Sequence, residues 1–296
     1  MQLSVFLRCC TLLCAFLFCE FAAGEAVSSA EKSDVQSKRW MRYCSISPDG
    51  KTIAFSCHGD IWLVDAGGGN ARLLTTHSGY ERSPVWSPDS EQIAFASDRH
   101  GNFDVFMISA LGGPARRLTF NSAQDIPSSF TPDGERILFS SRRIDSAAAA
   151  IGSMRMGELY SIPTAGGRPR QELSTQAEYA SYNPDGSQLA FHDYKGIEDR
   201  WRKHHTSSVT RDIMLRDSKT GKQTRLTEYG GEDRNPVWSA DGKTLYYLSE
   251  EAGTFNVWKI DPADPAKRSQ LTHHKTHPVR FLSLAKDGTL LYGFNG

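Results

Sequence analysis

Ser83-Pro84-Val85-Trp86-Ser87-Pro88-Asp89-Ser90-Glu91-Gln92-Ile93-Ala94-Phe95-Ala96 is two apolar runs joined by a tight turn. In the turn, proline fixes φ at the second position, aspartate tolerates the third, and a small residue takes the positive φ that closes the hairpin. The chain continues with Phe103-Asp104-Val105-Phe106-Met107-Ile108 and Ala115-Arg116-Arg117-Leu118-Thr119, so the unit reads as four strands, the first three rich in β-branched and aromatic residues.

The turn recurs five times, as Ser47-Pro48-Asp49-Gly50, Thr131-Pro132-Asp133-Gly134, Asn183-Pro184-Asp185-Gly186, Ser239-Ala240-Asp241-Gly242 and Ala285-Lys286-Asp287-Gly288. Its aspartates fall at 49, 89, 133, 185, 241 and 287, a period that suits one four-stranded unit per repeat with insertions in two of them. That pattern predicts an all-β chain, a six-bladed β-propeller of four-stranded antiparallel blades. The blades are expected at about 40–75, 83–119, 127–173, 178–227, 235–272 and 279–296. The last is incomplete, because only Arg280–Leu284 and Leu290–Phe294 remain of its strands. An unpaired, partly apolar strand edge is expected there. Turn chemistry accounts for the repeated aspartates without a catalytic role.

Lys plus Arg and Asp plus Glu are 34 each, and 39% of residues are hydrophobic, enough for a sizeable core but offering no basic field for nucleic acid. Residues 1–24 differ from the rest: Arg8, the apolar run Cys9–Cys19, then Ala22-Ala23-Gly24. That order is an export signal, and the run is too short for a permanent transmembrane anchor. The mature chain is expected in the periplasm or secreted, with residues 25–39 a polar linker and the propeller spanning 40–296. Of six cysteines only Cys44 and Cys57 lie outside the signal. Export permits a bridge between them, but two buried thiols are the simpler reading.

Loops between the second and third strands share a face with the connections between blades, and function concentrates on such loops. The residues expected to face a peptide or protein partner there are Arg82, Arg99, Trp201, Arg202, Lys203, His204, His205, Arg234, His273 and His274. Glu81, Asp125 and Asp233 each stand shortly before a proline, and their recurrence in three blades reads as a repeated structural hydrogen bond. His273-His274-x-x-His277 and His204-His205 lack the spacing of a helical zinc site, so no metal and no cofactor is expected. No Gly-x-Ser-x-Gly elbow and no glycine-rich phosphate loop occurs, so no catalytic residue is assigned.

The insertion Asp193-Tyr194-Lys195-Gly196-Ile197-Glu198-Asp199-Arg200-Trp201-Arg202-Lys203-His204-His205-Thr206-Ser207-Ser208-Val209-Thr210-Arg211-Asp212-Ile213 resembles a segment of the tricorn-protease-like serine peptidases. Gly231–Val237, Thr276–Ser283 and Lys286–Leu290 are similar to the same family, and the resemblance covers roughly residues 40–296. It implies an N-terminal six-bladed propeller that forms a channel or gate for peptides and contributes to a homo-oligomer, with the serine peptidase core far downstream. The repeats alone also fit a TolB-like periplasmic propeller that binds proteins without chemistry. TolB-like proteins carry an α/β domain before the propeller, and about 15 residues between Gly24 and Trp40 are too few for one. A prolyl-oligopeptidase-like reading is disfavoured by the missing nucleophile elbow.

Overall fold

The computed structural model describes residues 7–10, 41–143, 157–195 and 206–294. These form strands, turns and loops, with no helix among them. Outside the repeats lies β1 (Leu7–Cys10). The first blade is β2 (Arg42–Ile46), β3 (Thr52–Cys57), β4 (Asp60–Asp65) and β5 (Arg72–Leu73); the second is β6 (Glu81–Trp86), β7 (Gln92–Ser97), β8 (Asp104–Ser109) and β9 (Arg116–Arg117). The third contains β10 (Asp125–Phe130), β11 (Arg136–Ser141) and β12 (Glu158–Pro163), and then runs into β13 (Arg170–Tyr182). The fourth adds β14 (Gln188–Asp193), β15 (Ile213–Asp217) and β16 (Gln223–Arg225). The fifth is β17 (Asp233–Trp238), β18 (Leu245–Ser249), β19 (Asn256–Asp261) and β20 (Asp264–Gln270), and β21 (Val279–Leu284) with β22 (Leu290–Phe294) begins the sixth. Consecutive strands within each blade pair antiparallel.

Four of the repeated turns, those opened by Ser47, Ser87, Thr131 and Ser239, are built the same way. Ser47 Oγ donates to Asp49 Oδ1 at 2.6 Å, the same oxygen accepts the Lys51 N–H, and Thr52 N–H donates back to Ser47 Oγ. Hydrogen bonds from Ser47 and, secondarily, from Lys51 hold the exposed Asp49 carboxyl below its ordinary pKa, and the hydroxyl of Ser239 acts first in the same sense on Asp241. The fourth turn position has φ of +69 to +89° in five glycines and +67° in Ser90. The aspartates are therefore occupied by their own turns, as their residue types suggest.

The core is a ring of layers, one in each seam between blades. Leu63 and Leu74 meet Trp86, Phe95 and Phe106 between the first and second blades, and equivalent clusters fill the next four seams. The sixth joins the two ends of the repeat array: Cys44, Ile53, Phe55, Cys57 and Val64 pack on Ala285 and Leu291. Cys44 and Cys57 are buried thiols, not bridged to one another. Ile46 N–H donates to Ser283 Oγ at 3.0 Å across the same seam, so the ring is closed by backbone polar contact as well as by apolar burial.

Two features differ from the sequence expectation. The third and fourth blades are joined by one continuous strand: β13 pairs with β12 through Arg170–Gln176 and with β14 through Ala177–Tyr182. Its sequence contains no glycine or proline to break the strand, whereas the other connections carry pairs such as Ser78-Gly79 and Gly230-Gly231. In addition the open edge of β22 is occupied, because β1 pairs with it in parallel, Leu7 opposite Leu290 through Cys10 opposite Gly293.

Candidate functional site

The innermost strand of all six blades lines one central channel, and each carries a β-bulge. The bulged residue has positive φ in five of them: Tyr43, Ser83, Tyr179, Asn235 and Phe281, all between +52° and +57°. A non-glycine residue there costs about 1–2 kcal/mol, and a bulge re-aims the neighbouring side chains. The equivalent position in the third blade is Pro127, whose ring fixes φ near −65°. Its bulge accordingly skips one residue, between Pro127 and Ser129, where the others skip two.

Just before each bulge stands the residue five positions ahead of the turn: Arg42, Arg82, Ile126, Glu178, Arg234 and Arg280. Four arginines thus ring one mouth of the channel. Arg42, Arg82, Arg142 and Glu178 line a recess of about 520 Å³ there with Tyr43, Phe103, Tyr179 and Tyr194. Arg234 and Arg280 border the channel on the opposite side, near Phe255 and Phe281. Sequence reasoning picked Arg82 and Arg234 but missed Arg42 and Arg280. Counting back a fixed five residues from every turn would have found them.

Beside the mouth, the acidic residue that opens the inner strand is buried in three blades. Glu81 pairs with Arg99 and lies near Ser97 Oγ; Asp125 pairs with Arg143 at 2.5 Å and accepts from Ser141 Oγ at 2.5 Å. Burial raises the pKa of both carboxyls against the opposing pull of these partners. Threonines of the preceding blade complete each stitch, Thr75 facing Glu81 and Thr119 facing Asp125. Thr119 Oγ1 also accepts the Val105 N–H and bonds to Asp104, as Thr272 Oγ1 does with Val257 and Asn256. These carboxylates fasten blade to blade.

The fifth blade breaks the pattern. Asp233 has the hydroxyls of Ser249 and Thr227 facing it, but the position that holds Arg99 and Arg143 in the other blades is Glu251. Neither Asp233 carboxylate oxygen has a partner at hydrogen-bond geometry among the described residues, and the residue is 1% exposed. Burial is the main cause that pushes its pKa up to about 7, with Asp212 and Glu251 adding repulsion. Glu251 instead pairs outward with Arg268.

The expected partner-facing residues separate accordingly. Arg99 is committed to Glu81, with 15% of its side chain exposed. Arg234 is buried, and its Nε donates to Glu232 at 2.7 Å. Burial works against the charge of Glu232, yet Arg234 and Arg211 together hold its pKa below the ordinary value. His273 is exposed; His274 bonds Tyr292 Oη at 3.2 Å and packs on Phe294, and burial lowers its pKa. Trp201, Arg202, Lys203, His204 and His205 lie outside the described residues. The insertion's described ends are anchored, Lys195 on Asp212 and Arg211 over the Tyr194 ring with Nη1 3.0 Å from Glu232.

Residues 38–296 match the family model of the tricorn protease N-terminal β-propeller domain. The chain belongs to that family. Among solved structures, this tricorn-type propeller is similar to the tricorn protease, at TM-score 0.72 and 19% identity over 87% of this chain and 24% of that one. It is also similar to a candidate TolB from Agrobacterium tumefaciens, at TM-score 0.68 and 17% identity, covering 87% of this chain and 91% of that one. TolB from Acinetobacter baumannii aligns at 0.60 and 18% identity, over 86% of this chain and 58% of that one. At such identities these likenesses show the fold alone. An uncharacterised protein of Agrobacterium fabrum is 30% identical over 103 residues, 34% of this tricorn-type chain and 31% of that protein. The chain therefore spans about a third of that relative and a quarter of the tricorn protease.

Proposed function

We propose that this chain is the peptide-handling propeller of an exported tricorn-like serine protease, forming a channel or gate for peptides and an assembly module of a homo-oligomer, with the peptidase core supplied outside it. The observation that carries the reading is the channel mouth. Four of the six bulged inner strands present an arginine, and the recess at that opening is lined by aromatic rings, while the tight turns occupy the other ends of those strands. Guanidinium groups and aromatic faces are suited to polypeptide, offering carbonyls and carboxylates a donor and side chains an apolar surface. Export rests on residues 1–24, whose removal as a signal takes β1 off the edge of β22, and no described helix is long and apolar enough to cross a membrane.

Fluorescence anisotropy with labelled decapeptides tests the channel. The chain should bind them, and Ser128→Trp, which fills the channel wall, should abolish binding while the melting temperature holds. Equal binding by the variant would overturn it. Coding DNA beyond residue 296 should specify a peptidase core in this reading. A second reading is a TolB-like binding propeller without enzymatic activity, favoured by the 91% of the Agrobacterium tumefaciens chain that this one covers. Stoichiometric capture of one envelope protein, with no peptide binding, would select it.

A further inference from the structure

Four arginines around the mouth are matched to acids: Arg99 to Glu81, Arg143 to Asp125, Arg211 and Arg234 to Glu232. Arg82 is different. Its Nε is buried with no hydrogen-bond partner among the described residues, and its Nη1 makes one long bond, 3.4 Å, to Tyr43 Oη. The guanidinium lies 4.3 Å from the Phe103 ring centroid and 5.8 Å from that of Tyr43, and no described carboxylate pairs with it. A desolvated charge without a counter-charge costs stability. Stacking on aromatic faces offsets part of that cost and leaves the in-plane N–H groups for an acceptor.

Arg82 opens on the recess of about 520 Å³, where the other charged lining groups are Arg42, Arg142 and Glu178. Glu178 is turned toward His192, whose Nε2 lies 3.4 Å from its Oε2 while Nδ1 accepts the Asn235 N–H. The recess thus has a positive balance that the neutral composition of the chain conceals. We propose that it selects acidic segments of passing peptides, an Asp or Glu side-chain carboxylate docking on Arg82 between the Phe103 and Tyr43 rings. Planar, charge-assisted pairing in a partly desolvated recess discriminates carboxylate from amide. The inference rests on the channel reading above and names its substrate class.

The test uses three labelled decapeptides of one scaffold, acetylated and amidated so that neither terminus is charged, carrying two internal Glu, two Gln or two Lys. Binding to the full chain should be roughly tenfold tighter for Glu than for Gln, the size of one charge-assisted hydrogen bond, and weakest for Lys. Arg82→Gln should erase the Glu–Gln difference while Gln-peptide affinity holds; Arg82→Lys should keep part of it. If Arg82→Gln does not fold, the wild-type chain still decides: Glu-peptide affinity should fall between 50 and 300 mM salt and Gln-peptide affinity should not. Equal binding of Glu and Gln peptides overturns the selectivity and leaves the channel reading standing. Absence of binding by all three overturns the channel reading itself.

Discussion

Replacing Asp233 with Asn removes a carboxyl that the fold holds at a pKa of about 7 instead of 3.8, mainly by burial. The native state keeps this proton between those values while the unfolded chain releases it. The contribution of Asp233 is therefore fully present below about pH 3.8 and declines as pH rises to about 7. At 1.36 kcal/mol per pH unit the loss amounts to about 4 kcal/mol, flat above pH 8. Asparagine is nearly isosteric and neutral throughout, and the Ser249 and Thr227 hydroxyls facing the site can reorient toward its amide. Asp233→Asn should match the wild type near pH 4.5 within about 1 kcal/mol and exceed it by several kcal/mol at pH 8.5. Urea denaturation of both proteins at half-unit pH steps measures the difference, in which other titrating groups largely cancel. A pH-independent difference, or a variant less stable at pH 8.5, would refute the placement of this carboxyl as buried and without a guanidinium.

Arg99→Gln leaves Glu81 buried without its guanidinium and should cost roughly 3 kcal/mol at pH 8, less at acidic pH as Glu81 takes up a proton, read by the same denaturation series. Thr119→Val deletes the acceptor of the Val105 N–H and a bond to Asp104, two satisfied buried contacts, and should destabilise by about 1–3 kcal/mol, whereas Thr119→Ser should recover most of it in thermal melts. A chain beginning at residue 25 lacks β1 and so bares the edge of β22. Sedimentation velocity should find it associating with rising concentration, and a strict monomer throughout would contradict an open edge.

The repeated turn, the four-strand unit and the six-fold count were all legible, because each depends on local chemistry: proline and glycine dihedrals, a side-chain cap on its own turn, and alternation of apolar residues. The structural role of Glu81 and Asp125 was legible too, since recurrence of a carboxylate before a proline favours a repeated bond over a unique site, although Asp233 shares the pattern without making that bond among the described residues. The arginine ring was half visible, and Arg99 illustrates why. Nothing in Asp98-Arg99-His100 says that the guanidinium turns inward to Glu81, eighteen residues earlier, instead of outward to a partner.

Sequence by itself determined the propeller, its period and its neutral charge, because repeats carry the same short-range instructions six times. Tertiary structure decided which charges cancel. It set Asp233 beside Glu251 where two sister blades place arginine, and it left Arg82 stacked on aromatic rings with no acid paired to it among the described residues. It also merged two expected strands into β13 and laid β1 along the last blade. Ion pairing and desolvation depend on distances between residues from different strands and blades, and those distances exist only once the ring has closed.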